Sequence, residues 1–361
     1  MSEQAHSFRL PFRVLAEVTF HYNAAKLRYL FQVIRALSEY PIEMLDVVVV
    51  TNVADESKLR KISSLCQPLF RPHPWRPDST KSLAFASFPK LADPWHLPWS
   101  HKRLISEKFL SPDANYTHYI HLEEDILLSF DNFCYFANYR DVLAPHRLIP
   151  SFQRIEFNYD DNRLYVVDQV GVSDFEDRKS VEVGEYCFVN PDYPHNGLFV
   201  LDRELAREYV HTRSFDIERS RGVKPQWGLC ERAAMGLCFE NPGQGFVSRY
   251  AIPVDSHTRE IPYWSWVYHV SNKYTTYRMT RYGKTEPDKV FCGDPQLVQW
   301  SPPTSLERVV RKTNRLLKRI AHGAPAGTGH DLVPRGLCPL CDLSREEASP
   351  CCKKRCPMGW R

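Results

Sequence analysis

Two apolar segments near the start of the chain constrain its fold more than any other feature. RVLAEVTFHY (13–22) is rich in β-branched and aromatic residues, and MLDVVVVTN (44–52) holds a continuous valine run that suits a strand buried on both faces. Between them, apolar residues recur at helical spacing after Asn23, which can cap a helix, and Pro41 follows its end. This β-α-β order predicts an α/β fold with a mixed, mainly parallel, Rossmann-like sheet flanked by helices.

The distribution of charge and of cysteine predicts four parts in the chain. We expect a catalytic α/β domain over residues 1–301 and a basic amphipathic helix over 302–322, where six Lys or Arg accompany one Glu and an apolar stripe. A flexible Gly/Pro/Ala-rich linker over 323–337 and a cysteine-rich tail over 338–361 follow. The formal net charge of the whole chain is only +4, so the domain is not uniformly basic and nucleic acid is disfavoured as a partner.

The sequence has no segment expected to cross a membrane. No run approaches the ~18 to 20 apolar residues that a spanning helix needs, and the start, MSEQAHSFRLPFRV, has no apolar signal-peptide core. We therefore expect a cytoplasmic protein. The basic helix 302–322 can lie on an anionic membrane surface, which would make the protein peripheral. Alternatively, its apolar stripe packs on the domain and leaves a solvated basic face.

The tail has a spacing of cysteines that suits a metal. Cys338 and Cys341 form a Cys-x-x-Cys pair, and Cys356 together with Cys352, or with its neighbour Cys351, can supply two more thiolates. We expect these four side chains to hold a structural Zn²⁺ ion. The alternative is a disordered tail of reactive thiols without metal.

Three consecutive acids mark the candidate site. The predicted strand THYIHL (117–122) runs directly into Glu123, Glu124 and Asp125. Ligands of open α/β sheets bind outside the carboxyl ends of strands. Adjacent carboxylates repel one another unless a cation or solvent takes the charge, and their hard oxygens suit Mg²⁺ or Mn²⁺. The alternative is a solvated strand end that contains a helix-capping acid.

Further segments share a pattern with a known group of enzymes. After the β-α-β start come LPWSHKRLI (97–105), YIHLEEDILL (119–128), HNGLFVLD (195–202) and CERAAMG (230–236). Over residues 13–280 this order resembles the GT-A glycosyltransferases, which use nucleotide sugars. Their usual acidic motif is Asp-x-Asp or Glu-Asp-Asp, whereas this chain has Glu-Glu-Asp.

The resemblance implies a divalent metal, Mn²⁺ or Mg²⁺, that bridges the protein and the donor diphosphate. Asp125 would be a direct ligand, with Glu123 and Glu124 beside the donor. A further histidine ligand is common late in such domains, and the sequence offers His269 in WVYHVSNKY or His257 in PVDSHTRE. His269 is the better candidate because a strand-like apolar segment precedes it. An imidazole ligand favours manganese over magnesium.

Glu231 in CERAAMG matches the position of the catalytic acid in the family pattern. An attacking sugar hydroxyl needs a base, because it is a poor nucleophile until its proton is removed. We expect Glu231 to be that base. The alternative is an exposed helix glutamate paired with Arg232 or Arg221.

The remaining candidates concern the two substrates. Donor contacts are expected at the end of the first predicted strand and at the start of a predicted helix over 101–110, where amides attract anions: Thr19, Tyr22, Asn23, His101 and Lys102. The acceptor platform is predicted at Asn196, Gly197 and Trp227. Glycine allows close approach, and an aromatic ring stacks on the apolar face of a sugar.

The sequence therefore predicts an inverting, metal-dependent glycosyltransferase that moves a sugar from a UDP- or GDP-sugar to a glycan, glycolipid or glycoprotein. A nucleotidyltransferase of sugar metabolism would share the sheet and the carboxylates, but no glycine-rich phosphate loop follows the first strand. The alternative from another class is a non-catalytic scaffold that binds membranes, zinc or nucleic acid through the basic helix and the cysteine-rich tail.

Overall fold

The computed structural model of the protein describes residues 11–291, except 75, 92, 177 and 277–279. The end of the predicted domain (292–301) and the predicted basic helix, linker and cysteine-rich tail (302–361) lie outside the described residues. The predicted zinc ligands lie there too: Cys338, Cys341, Cys352 and Cys356.

Strands and helices alternate along the described chain. The strands are β1 (Arg13–Phe20), β2 (Met44–Thr51), β3 (Thr80–Ser87), β4 (His118–Glu123), β5 (Ile126–Leu127), β6 (Ile149–Pro150), β7 (Gln153–Asn158), β8 (Arg163–Val166), β9 (Ser180–Val183), β10 (Tyr186–Val189), β11 (Leu198–Asp202), β12 (Tyr250–Asp255) and β13 (Trp266–His269). The helices are α1 (Leu27–Ser38), α2 (Glu56–Cys66), α3 (His101–Arg103), α4 (Phe130–Leu143), α5 (Arg203–Tyr209) and α6 (Leu229–Ala233). Helical turns over Pro94–Ser100 and Leu104–Phe109 flank α3.

A central five-stranded sheet has the order β11-β4-β1-β2-β3. Strands β4, β1, β2 and β3 run parallel to one another, and β11 runs antiparallel to β4. The predicted mainly parallel sheet is thereby confirmed, and the fold is mixed α/β. In β2, Val47 to Val50 are at most 6% exposed, as expected for a strand that is covered on both faces.

Helix α1 connects β1 to β2. Its buried residues recur at helical spacing and form one apolar face: Leu30, Val33, Ile34 and Leu37. The side chain of Asn23 accepts a hydrogen bond from the Ala25 amide at 2.9 Å. Asn23 is therefore a cap, as predicted, but it opens a short 3-10 turn that leads into α1.

Two four-stranded sheets have the orders β6-β12-β10-β9 and β5-β13-β7-β8. The pairs β7–β8 and β9–β10 are antiparallel, as the alternation of short strand-like stretches and turns between 147 and 190 suggests. Strand β5 follows β4 after a two-residue turn and pairs with β13, so His269 lies opposite Ile126. This pairing brings a late segment of the chain to the end of β4.

Two predicted helices differ from the observed ones. The segment WGLCERAAMGLCF (227–239), whose sequence suggests one longer helix, is helical only over α6, which ends at Ala233. Gly236, with a left-handed φ of +52°, lies beyond that end and is incompatible with a continuous helix. The helix predicted over 101–110 continues a helical turn that already begins at Pro94, and Ser100 does not cap it. No helix in the described part of the chain is long and apolar enough to cross a membrane.

Candidate functional site

The three predicted acids lie where β4 leaves the central sheet. Glu123 is the last residue of β4, and Glu124 and Asp125 form the turn to β5. All three line a cleft of about 280 Å³, together with Thr19 from the neighbouring end of β1. Glu124 is 6% and Asp125 3% exposed. A solvated strand end, the alternative considered from the sequence, is therefore wrong.

Glu123 is held in place by Gly197 and Cys230. Its amide donates to the Gly197 carbonyl at 3.0 Å, and the Cys230 Sγ donates to its Oε1 at 3.8 Å. Gly197 has a left-handed φ of +65°, and a Cβ there would lie 3.1 Å from Glu123 Oε2. Both the backbone conformation and the close approach therefore require glycine at this position.

Two lysines offset part of the acidic charge. Lys26 forms an ion pair and a hydrogen bond with Glu124. Burial, and then the charge of Asp125, nevertheless raise the pKa of Glu124 to about 7. The Lys273 Nζ lies 3.7 Å from Asp125 Oδ2, and its side chain is half exposed. The cleft therefore presents both acceptor oxygens for a cation and cations for an anionic ligand.

Asp125 begins a buried chain of contacts. Its Oδ2 lies 3.0 Å from His269 Nε2, and His269 Nδ1 lies 2.5 Å from Glu156 Oε1. The other oxygen of Glu156 accepts the amides of Tyr274 at 2.8 Å and Thr275 at 2.7 Å. These contacts fix the ring of His269 between two carboxylates, and His269 and Glu156 are fully buried.

These partners also favour the charged form of Asp125. Burial opposes ionisation, but the hydrogen bond and charge of His269, followed by the charge of Lys273, outweigh it. Together they hold the pKa of Asp125 well below its ordinary value. Asp125 is therefore a carboxylate over the physiological pH range.

Asp125 and His269 could hold a metal ion between them. Their Oδ2 and Nε2 atoms lie 3.0 Å apart in a hydrogen bond, and two ligands about 2.1 Å from one ion and at right angles to each other would have about the same separation. Glu156 takes the place of the carboxylate that commonly orients a metal-bound histidine. Among the residues that the structure describes, no group of three or more His, Cys, Asp or Glu surrounds one metal position. Further ligands would come from substrate or water.

His257, the other histidine considered, lies elsewhere. It is exposed in the turn after β12, where its amide donates to Asp255 Oδ1 at 2.9 Å. The β5–β13 pairing brings His269, and not His257, to the acids.

The donor residues predicted after β1 are only partly in the cleft. Thr19 lines it, whereas Asn23 caps the next turn and the Tyr22 ring packs edge-on against Phe20. His21 and Lys26 of the same segment line the cleft instead. They were missed because a loop gives no period from which the direction of a side chain can be read.

The structure contradicts the prediction that His101 contacts a diphosphate. His101 is fully buried, and its ring nitrogens lie 2.7 Å from the Pro98 carbonyl and 3.0 Å from the Tyr209 hydroxyl. Because both nitrogens already have partners, neither is free for a ligand. Lys102 lies over the ring of Phe215, 5.1 Å from its centroid, and does not line the cleft.

The segment Pro94–Ser100 forms one wall of the cleft through Pro94, Trp95, Leu97 and Pro98. Trp95 is 60% exposed, an unusual state for so large an aromatic side chain. It was also missed from the sequence. Its signal was the unusual run PWHLPWS, which the sequence places in a proline-rich loop.

A second pocket, of about 200 Å³, contains Trp227 and Glu231. Glu231 is exposed. Arg232 donates to the Ile217 carbonyl and to Ser220, and Arg221 pairs with Glu218. Arg232 and Arg221 therefore pair with other groups, and neither forms the ion pair with Glu231 that the alternative from the sequence required.

The other predicted acceptor residues do not line this pocket. Asn196 is 3% exposed and donates to Ser151 Oγ at 2.7 Å, and Gly197 packs against Glu123. The neighbouring His195 lines the pocket in their place. The structure therefore brings together Trp227 and Glu231, but not Asn196 or Gly197.

The similarity of the chain to known proteins is weak. No family model matches the chain, and no curated protein sequence is similar to it. Among solved structures, it is similar to S. aureus TarS 1-349, with 9% identity, a TM-score of 0.33, and coverage of 73% of this chain and 61% of that one. It is also similar to the glycosyltransferase GlyE of Streptococcus pneumoniae TIGR4, with 9% identity, a TM-score of 0.32, and coverage of 64% and 44%. The chain thus spans less than two thirds of either protein, and similarity at this level establishes neither fold nor function.

Proposed function

We propose that the protein is a glycosyltransferase that moves a sugar from a UDP- or GDP-sugar to a hydroxyl of a glycan, glycolipid or glycoprotein. The observation that carries this proposal is the chain of contacts Asp125–His269–Glu156 at the carboxyl end of a parallel strand. Ligands of α/β sheets bind at this edge. A carboxylate and an imidazole beside two lysines suit a metal-bound diphosphate.

Asp125 and His269 would hold the divalent ion, and the imidazole favours Mn²⁺ over Mg²⁺. When bound, the ion neutralises charge that develops on the departing diphosphate. Lys26 and Lys273 line the same cleft and attract donor phosphates. The side chain of Lys273 is 53% exposed, so it can turn from Asp125 towards a phosphate.

Glu231 is the proposed base. It faces the second pocket, while its neighbour Cys230 faces the cleft. As the acceptor oxygen bonds to the anomeric carbon, its proton passes to the Glu231 carboxylate. The bond from that carbon to the diphosphate oxygen breaks, and its electron pair leaves with the nucleoside diphosphate. Attack from the side opposite the leaving group inverts the anomeric configuration.

Hydrolysis of the donor tests the first half of the site. The full chain is incubated with UDP- and GDP-sugars and Mn²⁺, and released nucleoside diphosphate is measured. Asp125→Ala should lower the rate by about 100-fold or more, because it removes an electrostatic stabiliser of the leaving group. Asp160→Ala, in the exposed turn between β7 and β8, is the control and should keep the wild-type rate. Hydrolysis that resists both Asp125→Ala and a chelator would contradict the proposal.

Transfer to an acceptor tests Glu231. Glu231→Gln should preserve donor binding and lower the transfer rate by about 100-fold, the contribution of a general base. The anomer of the product, read by NMR, should be inverted. An unchanged rate would assign Glu231 to structure. Formation of a nucleotide sugar from a nucleoside triphosphate and a sugar phosphate would instead favour the nucleotidyltransferase alternative.

A further inference from the structure

The second pocket shares two walls with the cleft that holds the acids. On α6, Cys230 faces the cleft and Glu231 faces the pocket. On the segment after β13, Lys273 faces the cleft and Tyr274 faces the pocket. Because adjacent residues on two separate segments line different sites, a ligand in the pocket lies next to one in the cleft.

Four of the side chains that line the pocket are aromatic: Tyr193, Trp227, Tyr274 and Tyr282. Aromatic rings present both an apolar face and, in tyrosine and tryptophan, a polar edge. The volume, about 200 Å³, is below the roughly 300 to 1,000 Å³ of sites for drug-sized ligands. The pocket therefore suits one ring with apolar faces and polar edges rather than a chain of several rings.

The cation in the described lining of the pocket, Arg154, is paired with an acid. Arg154 is 4% exposed, and its guanidinium donates to both oxygens of Asp168, at 2.8 and 2.6 Å. This bidentate pair occupies one edge of the guanidinium and offsets its charge. Lys224 and Arg281 lie against outer rings, 5.9 Å from the Trp227 centroid and 5.5 Å from the Tyr282 centroid, and do not line the pocket.

The other polar groups of the pocket suit hydroxyls. The Nδ1 atom of His195 is buried and has no hydrogen-bond partner within the described residues. Burial, with the charges of Arg154 and Lys273, holds the pKa of His195 well below its ordinary value, so its ring is neutral. Glu231 adds a carboxylate, which would repel an anion. Among the described residues that line the pocket, one cation, Arg154, accompanies two acids, Asp168 and Glu231. The described lining thus offers a neutral imidazole and acceptor oxygens, with a formal excess of negative charge.

We propose that this pocket binds a single uncharged sugar ring of the acceptor and excludes acidic sugars. The aromatic side chains would contact the ring faces, and His195 and Glu231 its hydroxyls. This inference rests on the proposed function for the identity of the ligand as an acceptor. The pocket itself can be tested without donor or transfer.

The test is binding of simple glycosides to the full chain by ligand-observed NMR, alone and with UDP and Mn²⁺. The probes are methyl glucoside, methyl galactoside, methyl mannoside and methyl glucuronide. At least one neutral glycoside should bind about tenfold more tightly than the glucuronide. Gln226 also lines the pocket. Trp227→Ala and Gln226→Ala should each weaken that binding, the former by about tenfold. Tyr263→Ala, which removes an aromatic residue that is 71% exposed elsewhere, should leave it unchanged.

Because Trp227 packs on the core, circular dichroism first establishes that its variant is folded. Gln226 is exposed, so its variant gives a second reading that does not depend on core packing. Preferred binding of the glucuronide would overturn the proposal. So would a lack of binding by every neutral glycoside in both conditions, or equal effects of the pocket and control variants. Donor hydrolysis that persists while glycosides fail to bind would overturn this inference and leave the proposed function standing. Glycoside binding without any donor hydrolysis would contradict the proposed function and leave the sugar-binding pocket standing.

Discussion

At the scale of single residues, the position of the Glu231 carboxylate depends on Gly228. A Cβ added to Gly228 would lie 2.4 Å from Glu231 Oε2. The carboxylate is the free end of a flexible side chain, so it would move aside at little cost to folding. Gly228 therefore controls where the proposed base can be, even though it has no side chain of its own.

Gly228→Ala should accordingly lower the rate of transfer and leave the stability of the fold nearly unchanged. We expect the free energy of unfolding, measured with urea, to change by less than about 1 kcal/mol. The rate of transfer should fall about tenfold or more, because a base displaced from its acceptor loses most of its effect. Gly222→Ala is the matched control, since a Cβ there would meet nothing within 4 Å. Equal transfer by the two variants would show that the Glu231 carboxylate is not used where it lies.

Residue by residue, the sequence was most informative where a side chain follows directly from a strand. The position of Asp125 and His269 at the ends of strands could be predicted, because Asp125 follows an apolar strand and His269 ends one. The burial of His101 could not be predicted, because it depends on the helical turn Pro94–Ser100, whose conformation has no simple period in the sequence. Trp95 was missed for the same reason.

At the scale of elements, a buried hydrogen bond joins the wall Pro94–Ser100 to the central sheet. Ser100 Oγ donates to Glu17 Oε1 at 2.8 Å, and Tyr119 donates to the other oxygen of Glu17 at 2.5 Å. Glu17 and Tyr119 are fully buried on adjacent strands of the central sheet, and Ser100 is 3% exposed. This buried hydrogen bond therefore fixes the position of the cleft wall relative to the acids.

Ser100→Ala should loosen that wall. We expect a loss of about 1 to 3 kcal/mol in the free energy of unfolding, since a buried carboxyl group loses one donor. In donor hydrolysis, KM should rise while kcat stays nearly constant, because the wall contributes binding and no chemistry. Ser64→Ala provides the comparison. The Ser64 Oγ, like that of Ser100, lies within hydrogen-bond distance of the carbonyl three residues earlier, at 2.9 and 2.7 Å respectively, but Ser64 is exposed on α2. Matching effects of the two substitutions would rule out a positioning role for Ser100.

The elements themselves were predicted unevenly, for physical reasons. The central sheet followed from the valine run and the helical spacing between β1 and β2, both of which are local patterns. The second pocket did not, because Arg154, His195, Trp227 and Tyr274 come from separate segments that long-range pairing brings together. No local pattern in one sequence shows that these four residues lie together in the fold.

At the scale of the whole molecule, buried histidines make stability depend on pH. Burial lowers the pKa of His118 from 6.5 to about 4, with Asp202 opposing the shift. Burial also lowers the pKa of His101 well below its usual value. Because these pKa values are lower in the folded than in the unfolded chain, the unfolded chain binds more protons between pH 6.5 and 4. The folded state should therefore lose stability as the pH falls through this window.

His118→Phe should reduce that dependence. The His118 ring lies among Phe12, Phe133 and Phe136, so phenylalanine suits its surroundings. Urea unfolding at pH 7 and pH 5 should show that the variant loses less stability than the wild type, by up to about 1.4 kcal/mol per pH unit. Glu124 contributes a pH dependence of stability with the opposite sign, but this contribution is the same in the variant and in the wild type. His146→Phe, at an exposed position, should follow the wild type, and parallel curves for all three would contradict the assignment.

The pairing of β5 with β13 has a consequence for how the protein is made. Asp125 and His269 are 144 residues apart in the sequence, and synthesis at ~5 to 20 residues per second separates them by roughly 7 to 30 s. During that interval the acids have emerged from the ribosome, but the imidazole that contacts Asp125 has not been made. The parallel core of β1 to β4 can form early, whereas the candidate site is completed only when the last described strand docks. A nascent chain is therefore folded in part long before it can act.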